Sequence, residues 1–422
     1  MKNIVYVGGG VSTIFSVIKL LDNGYPGDKI TILEKGNPMK DRQPNEIMNG
    51  FGGAGSFSDY KCVYSLTQGG LLSKYTGDEK AWSLINEFKE ITKRFHPKPQ
   101  EIKTVTIKDE PIFIKESSFE LKQSEVEHLG TDYGQAVMKN IEQYFREKNV
   151  RMIFNATVDD IDFDNKMISY NGNSITNYDK LIIATGKSGM DLVKQLIDKY
   201  QLKTTPKAAQ IGVRFESDYR YFERLAKDFY DFKLYRKIDD NISLRSFCVN
   251  NERAHVAEEN TYGMKSYNGH AYKTGEKNNL INFGIIMEIK SIDNPLEFTL
   301  DLVKRCNEGG KGKYFTLSNR KPNLDVEQIT IQNFLILYNE YANHILGFIR
   351  DMDRIFNFDD DYVCYVPEIK YLTNEIAVNN EDLSLIDYKD IHIIGDALSA
   401  RGIVISASQG LYLSESIIKE VK

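Results

Sequence analysis

Three consecutive glycines, Gly8-Gly9-Gly10, begin a match to the pattern G-x-G-x-x-[G/A], with Thr13 in the last position. The first glycine of such a turn permits a tight bend, and the second lets a pyrophosphate approach the backbone at a helix N-terminus. Glu34 follows 24 residues after Gly10. A carboxylate there can accept both hydroxyls of an adenosine ribose and would repel a 2′-phosphate. These residues predict a dinucleotide site that disfavours NADP.

Two later segments also place glycine or a carboxylate directly after an apolar run, where a ligand can approach the end of a strand. Ala184-Thr185-Gly186 supplies a second close backbone approach, and Gly395-Asp396 offers a carboxylate to a polyol chain. Arg401-Gly402-Ile403-Val404 then begins a helix whose positive end could face an electron-rich ring. NAD and FAD both use the first motif, so these additional segments are needed to distinguish them.

The elements that must position these residues follow from the apolar patterning. Ile4 to Val7 and Ile30 to Leu33 are predicted strands on either side of a helix over 12 to 22, which makes a βαβ unit. Leu181 to Ala184 and Ile391 to Ile394 are further buried strands, and a final helix spans 402 to 419. The residue pattern over 103 to 115 alternates as in strands, so strands are predicted there.

The residue pattern changes in the middle of the chain: alternating strand patterns run from about 205 to 375, with a polar, loop-rich stretch over 250 to 280. We therefore predict an α/β fold in which a Rossmann-type domain with a parallel sheet carries an inserted, mainly antiparallel β domain. The expected boundaries are 1–204 and 376–422 for the first domain and 205–375 for the inserted one.

The stretch GFGGAGSFSDYKC, residues 50 to 62, is rich in small residues. From its residues alone it could be a flexible linker or a bare backbone surface on which a large, flat ligand lies.

The combined motifs resemble those of the glutathione-reductase-type FAD flavoproteins, and most closely a little-characterised group of predicted FAD-dependent dehydrogenases. That group carries a signature similar to GGAGTFSDGKL, and residues 52 to 62 here read GGAGSFSDYKC. It also shows an A-T-G turn, a G-V-R strand, present here as Gly212-Val213-Arg214, and a G-D-G-x-x-x-x-R-G-I-V ending. The resemblance implies that FAD is the cofactor and that Gly52 to Ser58 is a bare loop passing its ribityl chain.

The sequence departs from the family pattern at several positions. Tyr60 replaces a glycine, Ala397 replaces the last glycine of G-D-G, and the cysteine-glycine segment expected near Cys248 is lost. Cysteine chemistry of relatives therefore does not carry over. Asn-Gly-His at 268 to 270 is similar to the family's N-G-M, which makes His270 new in that position.

The residues predicted to bind FAD are Gly8, Gly10, Val11, Ser12, Thr13, Glu34, Lys35, Gly52, Gly53, Ala54, Gly55, Ser56, Val158, Ala184, Thr185, Gly186, Gly395, Asp396, Gly402, Ile403 and Val404. Lys61, Arg214 and His270 are the candidates for catalysis: Lys61 and Arg214 through a substrate carboxylate or flavin electrostatics, and His270 as a residue of the expected substrate domain. The competing interpretation is surface solvation for Lys61 and Arg214, and an ordinary satisfied polar residue for His270.

Composition excludes several classes of protein. The chain has 422 residues, 41% of them hydrophobic, and a net charge of −6, which disfavours a broad nucleic-acid surface. We expect neither a membrane span nor a signal peptide, and hence a cytoplasmic protein. The four cysteines form no C-x-x-C and the six histidines show no metal-type spacing, so we expect no metal.

The expected function is oxidation of a small amine, amino acid or hydroxy acid by hydride transfer to FAD. The glycines at 309 to 312 follow no apolar strand, so a second NAD-binding domain is not expected, and any NAD(P)H would bind transiently. Two alternatives remain open: a flavoenzyme that modifies a tRNA or DNA base, and a non-catalytic binding protein on a flavoprotein fold.

Overall fold

The computed structural model describes residues 1–43, 46–70, 72–176, 178–229, 231–261, 263–272, 276–370 and 375–421. The chain forms two compact units. The first comprises Met1–Lys103, Glu127–Thr205 and Thr373–Lys422, and the second comprises Thr104–Val126 and Pro206–Leu372. None of the helices in these described ranges is long and apolar enough to cross a membrane.

The strands are β1 (Ile4–Val7), β2 (Ile30–Leu33), β3 (Lys61–Tyr64), β4 (Thr104–Val105), β5 (Glu120–Lys122), β6 (Glu125–His128), β7 (Arg151–Ile153), β8 (Val158–Asp162), β9 (Met167–Tyr170), β10 (Asn173–Thr176), β11 (Lys180–Ile183), β12 (Thr204–Thr205), β13 (Ala209–Asp218), β14 (Lys233–Lys237), β15 (Ile242–Asn251), β16 (Ala254–Thr261), β17 (Met264–Ala271), β18 (Leu280–Ile289), β19 (Lys313–Phe315), β20 (Glu327–Gln328), β21 (Tyr362–Lys370), β22 (Glu375–Ile376) and β23 (Ile391–Ile393).

The α-helices are α1 (Val11–Asp22), α2 (Gly53–Ser58), α3 (Leu72–Thr76), α4 (Asp78–Phe95), α5 (Ile112–Lys115), α6 (Gly130–Glu147), α7 (Met190–Tyr200), α8 (Tyr219–Ala226), α9 (Pro295–Cys306), α10 (Ile331–Tyr338), α11 (Ala342–Phe356) and α12 (Ile403–Val421).

The first unit is built on a parallel sheet with the strand order β23-β11-β1-β2-β7. Ile4 pairs with Lys180 on one side and with Ile30 on the other. Its central strands are short apolar runs buried on both faces, as in a sheet covered by helices. A three-stranded antiparallel sheet, in the order β10-β9-β8, belongs to the same unit. The predicted βαβ unit and the return of the C-terminal segment to this sheet are confirmed.

The second unit is built on an eight-stranded sheet with the order β20-β19-β21-β13-β18-β15-β14-β5. All pairs in it are antiparallel except β19 with β20. Alternate residues of β13, such as Val213 and Phe215, are buried in an apolar core shared with α8 to α11. The predicted mixed, mainly antiparallel fold is therefore confirmed.

Two local expectations differ from the structure. Within 103–115 only Thr104–Val105 is a strand, and Ile112–Lys115 is a short helix that follows Pro111, whose φ of −63° suits a helix start. The stretch 250–280, expected to be loop-rich, contains the antiparallel hairpin of β16 and β17.

The segment Thr104–Val126 belongs to the second unit, whereas the sequence assigned it to the first domain. The reason is a long-range strand pairing, in which Leu121 of β5 lies opposite Leu234 of β14. Ile114, Phe119 and Leu121 are buried in the core of that unit.

Candidate functional site

The glycine turn between β1 and α1 is held by backbone contacts with the neighbouring strands. The Gly8 N–H donates to the Leu33 carbonyl at 2.8 Å, and the Ala184 N–H donates to the Val7 carbonyl at 2.8 Å. Gly8 has a φ of +108°, and an added Cβ would lie 2.2 Å from the Ala184 carbonyl oxygen. At Gly10, by contrast, an added Cβ would meet none of the described atoms within 4 Å. The turn is therefore closed at Gly8 and open at Gly10.

The first turn of α1 presents its backbone to the open side of this turn. Gly10 precedes the helix, which begins at Val11, and the first N–H groups of a helix have no partner within it. The side chains of Ser12 and Thr13 are buried. Thr13 is larger than the glycine or alanine that the motif ordinarily has at this position. Its hydroxyl donates to the Gly8 carbonyl at 2.7 Å, so the turn itself provides a partner for the larger side chain.

Glu34, at the end of β2, accepts hydrogen bonds from three backbone N–H groups. Its Oε2 lies 2.7 Å from the Gly9 nitrogen, and its Oε1 lies 2.7 Å from that of Gly36 and 2.8 Å from that of Gly50. A carboxylate offers about four lone-pair positions. Among the described residues no donor takes the fourth position, on Oε2, which is thus left for a hydroxyl from outside the protein. Acceptance of both hydroxyls of a ribose, as predicted from the sequence, would require one N–H group to give way.

Arg42 is a buried cation that sequence reasoning missed. Its Nη1 donates to the carbonyls of Phe51 at 2.8 Å and Gly53 at 3.1 Å. Its Nη2 donates to the carbonyls of Glu46 at 2.8 Å and Ile47 at 3.0 Å. One side chain therefore fixes both ends of the segment that leads into α2.

Burial lowers the pKa of Arg42 to about 10, although the negative charge of Glu34 opposes that change. The guanidinium also lies over the Phe57 ring, 3.8 Å from its centre. Because its partners are carbonyl groups of a loop, no motif or spacing in the sequence marks this residue.

The segment from Gly52 onward forms the short helix α2, not the bare loop that the sequence predicted. The Gly52 N–H donates to the Gly9 carbonyl at 2.9 Å, and an added Cβ on Gly53 would lie 3.3 Å from the Gly10 Cα. The Ser56 hydroxyl donates back to the Gly52 carbonyl at 2.6 Å, which closes the first turn of the helix. The stretch thus lies directly against the glycine turn.

The ends of β11 and β23 contribute two more turns. After β11 come Ala184, Thr185 and Gly186, and an added Cβ on Gly186 would meet none of the described atoms within 4 Å. After β23, the Gly395 N–H donates to Gln409 Oε1 at 2.9 Å.

Asp396 is held by Arg401, which lies two residues before the start of α12. Its Oδ1 accepts from Arg401 Nη1 at 2.7 Å. Gly402 precedes the helix with a φ of +78°, and Ile403 and Val404 are buried in its first turn. An added Cβ on Gly55 of α2 would lie 3.1 Å from Ile403 Cγ1, so α2 and the start of α12 are neighbours.

Two other predicted residues lie at the margin of this arrangement. Val158 is half-buried at the start of β8, opposite Tyr170, and Lys35 is exposed. The Ala156 N–H donates to the Glu34 carbonyl at 2.9 Å, so the chain leading to Val158 follows the end of β2.

Four strand ends therefore meet at one edge of the parallel sheet. The neighbours β23, β11, β1 and β2 bring Gly395-Asp396, Ala184 to Gly186, Gly8 to Gly10 and Glu34 to their carboxyl ends. This is the edge at which open parallel sheets bind ligands. It combines open backbone at a helix N-terminus with two acidic side chains, a set that suits a ligand with a phosphate part and several hydroxyls.

Lys61, predicted to be catalytic, is not a solvated surface residue. It lies in β3 with its side chain 8% exposed, and its Nζ is 3.5 Å from Asp59 Oδ2. It belongs to the first unit, as do all of the predicted cofactor residues.

Arg214 lies in β13 of the second unit and is fully buried. Its Nε donates to Asn282 Oδ1 at 3.0 Å, its Nη2 donates to the Cys248 carbonyl at 2.9 Å, and its Nη1 lies 3.4 Å from Glu368 Oε1. These contacts hold the guanidinium inside the unit, and its role in substrate recognition stays a prediction.

His270 lies in the hairpin of β16 and β17, also in the second unit. It pairs across the hairpin with His255, and the centres of the two rings are 5.5 Å apart. Tyr272 contacts both rings edge-on. His270 is thus part of an aromatic cluster, and its catalytic role also stays a prediction.

Comparison with known proteins gives only distant similarity. No family model matches the chain, and no curated protein matches its sequence. Among solved structures, CtdE in complex with FAD is 11% identical with a TM-score of 0.41, over 100% of this chain and 92% of that one. The tetrameric form of 2-methyl-3-hydroxypyridine-5-carboxylic acid oxygenase is 10% identical with a TM-score of 0.41, over 100% of this chain and 82% of that one. CmlS, a flavin-dependent halogenase, is 10% identical with a TM-score of 0.44, over 99% of this chain and 58% of that one.

Proposed function

We propose that this protein is an FAD-dependent oxidoreductase that acts on a small molecule. The observation that supports this most is the position of the Glu34 carboxylate, whose Oε2 lies 2.7 Å from the Gly9 nitrogen, beside the open side of the glycine turn. A carboxylate in that position can recognise an adenosine ribose next to a pyrophosphate.

The residues at this edge fit the parts of FAD in order. The pyrophosphate would lie at Gly10 and the first turn of α1, where an added Cβ would have open space. The adenosine ribose would donate to Glu34 Oε2. The ribityl chain would pass α2 and reach Asp396, whose carboxylate Arg401 already orients. A nicotinamide dinucleotide has no polyol chain, so Asp396 favours FAD over NAD.

When bound, the flavin supplies the redox chemistry by accepting an electron pair from the substrate. The protein's part is to bind and orient it. The N-terminal turn of α12 would favour negative charge near the ring, because the positive end of a helix stabilises anions. We propose an amine, an amino acid or a hydroxy acid as the substrate, and transiently bound NAD(P)H as an alternative electron donor.

The purified protein tests this proposal directly. We expect a yellow protein that releases FAD, and not FMN, on denaturation, because the glycine turn and Glu34 recognise the adenosine half. Anaerobic addition of single amines, amino acids, hydroxy acids or NAD(P)H should bleach the flavin absorbance with one of these classes. A colourless protein that does not take up added FAD, or one that releases FMN, would refute the proposal.

A further inference from the structure

A cavity of about 390 Å³ lies at the edge of the eight-stranded sheet of the second unit, where β20 and β19 are the outermost strands. This volume falls within the range of about 300–1,000 Å³ that small-molecule sites usually have. The lining residues are Tyr314, Thr316, Ser318, Asn319, Arg320, Lys321, Pro322 and Gln328. None of these side chains is acidic and two are cations, so the lining favours an anion.

The segment that carries the two cations is held in place by its own hydroxyl groups. The Thr316 hydroxyl donates to the Tyr362 carbonyl of β21, and its oxygen accepts from the Ser318 N–H at 3.1 Å. The Ser318 hydroxyl oxygen in turn accepts from the Arg320 N–H at 3.1 Å. The backbone at Arg320 is therefore positioned before any ligand binds.

Arg320 uses one of its three side-chain nitrogens to pair with a carboxylate. Its Nη1 donates to both oxygens of Asp361, at 2.9 and 3.0 Å. No hydrogen bond joins Nε or Nη2 to a residue in the described part of the chain. Nε and Nη2 lie on the same side of a guanidinium and can together bind a carboxylate or a phosphate through two parallel hydrogen bonds. Asp361 therefore orients Arg320 and leaves this edge of it available.

Lys321 adds a positive charge to the same lining. Its side chain is exposed, and among the residues that the structure describes no carboxylate forms an ion pair with it. Lys311, just before β19, differs in this respect, because its Nζ is 3.2 Å from Asp325 Oδ1. Since Asp361 offsets much of the charge of Arg320, it is Lys321 that gives the lining its net positive charge.

Tyr314 and Pro322 give the cavity an apolar side. Tyr314 is 8% exposed, and its hydroxyl donates to Gln328 Oε1 at 3.2 Å, so its ring is held between the two edge strands. An inorganic ion alone would leave this side of the cavity uncovered. The lining thus suits an organic anion, with its charge at Arg320 and Lys321 and its carbon part at the tyrosine ring.

We propose that this cavity binds a small organic anion, whose carboxylate or phosphate group is held by Arg320 and Lys321. The Nε and Nη2 groups of Arg320 donate two parallel hydrogen bonds to the oxyanion, and the ammonium of Lys321 supplies a further contact. The carbon part of the ligand covers Tyr314 and Pro322. This inference does not depend on the proposed function, because every lining residue belongs to the second unit and none is a predicted cofactor residue.

Calorimetric titration of the FAD-saturated protein tests the chemistry of the ligand, since FAD then fills the proposed pyrophosphate position. Benzoate and phenyl phosphate carry the same ring on a carboxylate and on a phosphate, so the lower Kd identifies the preferred oxyanion. Benzamide, the neutral counterpart of benzoate, should bind at least about tenfold more weakly, because the charge-assisted hydrogen bonds are lost. Equal affinity for benzoate and benzamide, or no saturable binding of either anion, would overturn the proposal.

Three variants test where the anion binds. Lys321→Gln should raise its Kd about threefold, as expected for loss of an exposed charge. Arg320→Lys keeps the charge but not the two parallel donors, and should raise the Kd at least about tenfold. Lys311→Gln is the matched control, because it removes an exposed lysine of the same part of the chain that lies outside the lining, and should leave the Kd unchanged. Wild-type affinity in both Lys321→Gln and Arg320→Lys would refute the assignment.

The two proposals are tested by separate measurements. A protein that takes up no FAD is titrated as purified, and anion binding that Lys321→Gln weakens would then support this inference while the oxidoreductase function fails. A yellow protein that binds neither anion refutes this inference alone. If Arg320→Lys does not fold, Lys321→Gln still decides the question, because it changes only an exposed side chain.

Discussion

At the scale of single residues, Gly8 and Gly10 should respond differently to the same substitution. Gly8→Ala adds a Cβ that would lie 2.2 Å from the Ala184 carbonyl oxygen, at a φ of +108°. We expect a loss of at least about 2 kcal/mol in the free energy of unfolding. The added Cβ of Gly10→Ala meets none of the described atoms within 4 Å, so its unfolding free energy should change by less than about 0.5 kcal/mol.

FAD titration separates the proposed role of Gly10 in ligand binding from the role of Gly8 in stability. Gly10→Ala should weaken FAD binding by at least about tenfold, because the new methyl group occupies the proposed pyrophosphate position. Urea unfolding and fluorescence titration measure both quantities. Normal FAD affinity in Gly10→Ala would show that no ligand passes over the turn.

The carboxylate of Glu34 has a structural role in addition to its proposed contact with ribose. Glu34→Ala leaves the N–H groups of Gly9, Gly36 and Gly50 without their acceptor, and should lower the unfolding free energy by about 3 kcal/mol. Glu34→Gln keeps one oxygen and should lose about half as much stability. FAD retention should follow the same order. Equal unfolding free energies in wild type and Glu34→Ala would contradict this reading of the hydrogen bonds.

The contrast between Glu34 and Arg42 shows what the sequence can predict about a site. Glu34 follows an apolar strand at a fixed distance from a glycine motif, so the local pattern carries its position. Arg42 contacts carbonyl groups of residues 46 to 53, which are brought to it only by the folded loop. His128 reaches Asp59 from 69 residues away along the chain, and no spacing rule connects them.

At the scale of elements, the close packing of α12 on α1 depends on Gly410. An added Cβ there would lie 1.9 Å from the Ser12 carbonyl oxygen, so Gly410→Ala should destabilise the protein by about 2 kcal/mol. Gly347→Ala in α11 is the matched control. Among the described atoms its Cβ would meet only Arg350 Nη2, at 4.0 Å, and alanine should stabilise the helix by up to about 1 kcal/mol.

Thermal or urea unfolding of both variants tests this prediction. If Gly410→Ala is as stable as wild type, the two helices must separate easily, and their contact does not limit stability.

Elements with strong apolar patterns could be predicted, and those with weak patterns could not. β1, β2 and β11 are mainly apolar, and the structure has them within one residue of where the sequence indicated. α2 was missed because glycine and serine have low helix propensity, and a side-chain hydrogen bond from Ser56 supports its first turn. β5 pairs with a strand more than a hundred residues away, so no local signal assigned its segment to the second unit.

At the scale of the whole molecule, stability should fall in mild acid because of His392. The pKa of His392 is lowered from its ordinary 6.5 to about 4, mainly by burial and to a smaller extent by the positive charge of Lys180. Its Nδ1 faces the Asp382 carbonyl at 3.0 Å, and its Nε2 faces Lys180 Nζ at 3.4 Å. The folded protein therefore holds this imidazole neutral.

The sign of the effect follows from which state binds the proton. Between about pH 6.5 and pH 4 the unfolded chain binds a proton at His392 and the folded chain does not, so stability decreases as pH falls through that window. From pH 7.5 to pH 5 this group should account for about 2 kcal/mol of the loss. Below about pH 4 both states are protonated and its contribution stops changing.

Urea unfolding at pH 7.5 and pH 5 checks this, with His392→Gln as the comparison. The variant should lose less stability than wild type over the same interval, and Lys180→Met should lie between them. Parallel losses in all three proteins would mean that His392 does not carry the effect.

The first unit is assembled from three separated stretches of chain, and the last of them supplies both β23 and α12. During synthesis on the ribosome, the glycine turn emerges before the inserted second unit, whereas Asp396 and the helix that packs against α1 emerge after it. The earlier stretches of the first unit must therefore wait, without β23 and α12, until residues 206–372 have been made. Cofactor loading should accordingly await the synthesis of β23 and α12, and nascent chains stalled before residue 375 should bind no FAD.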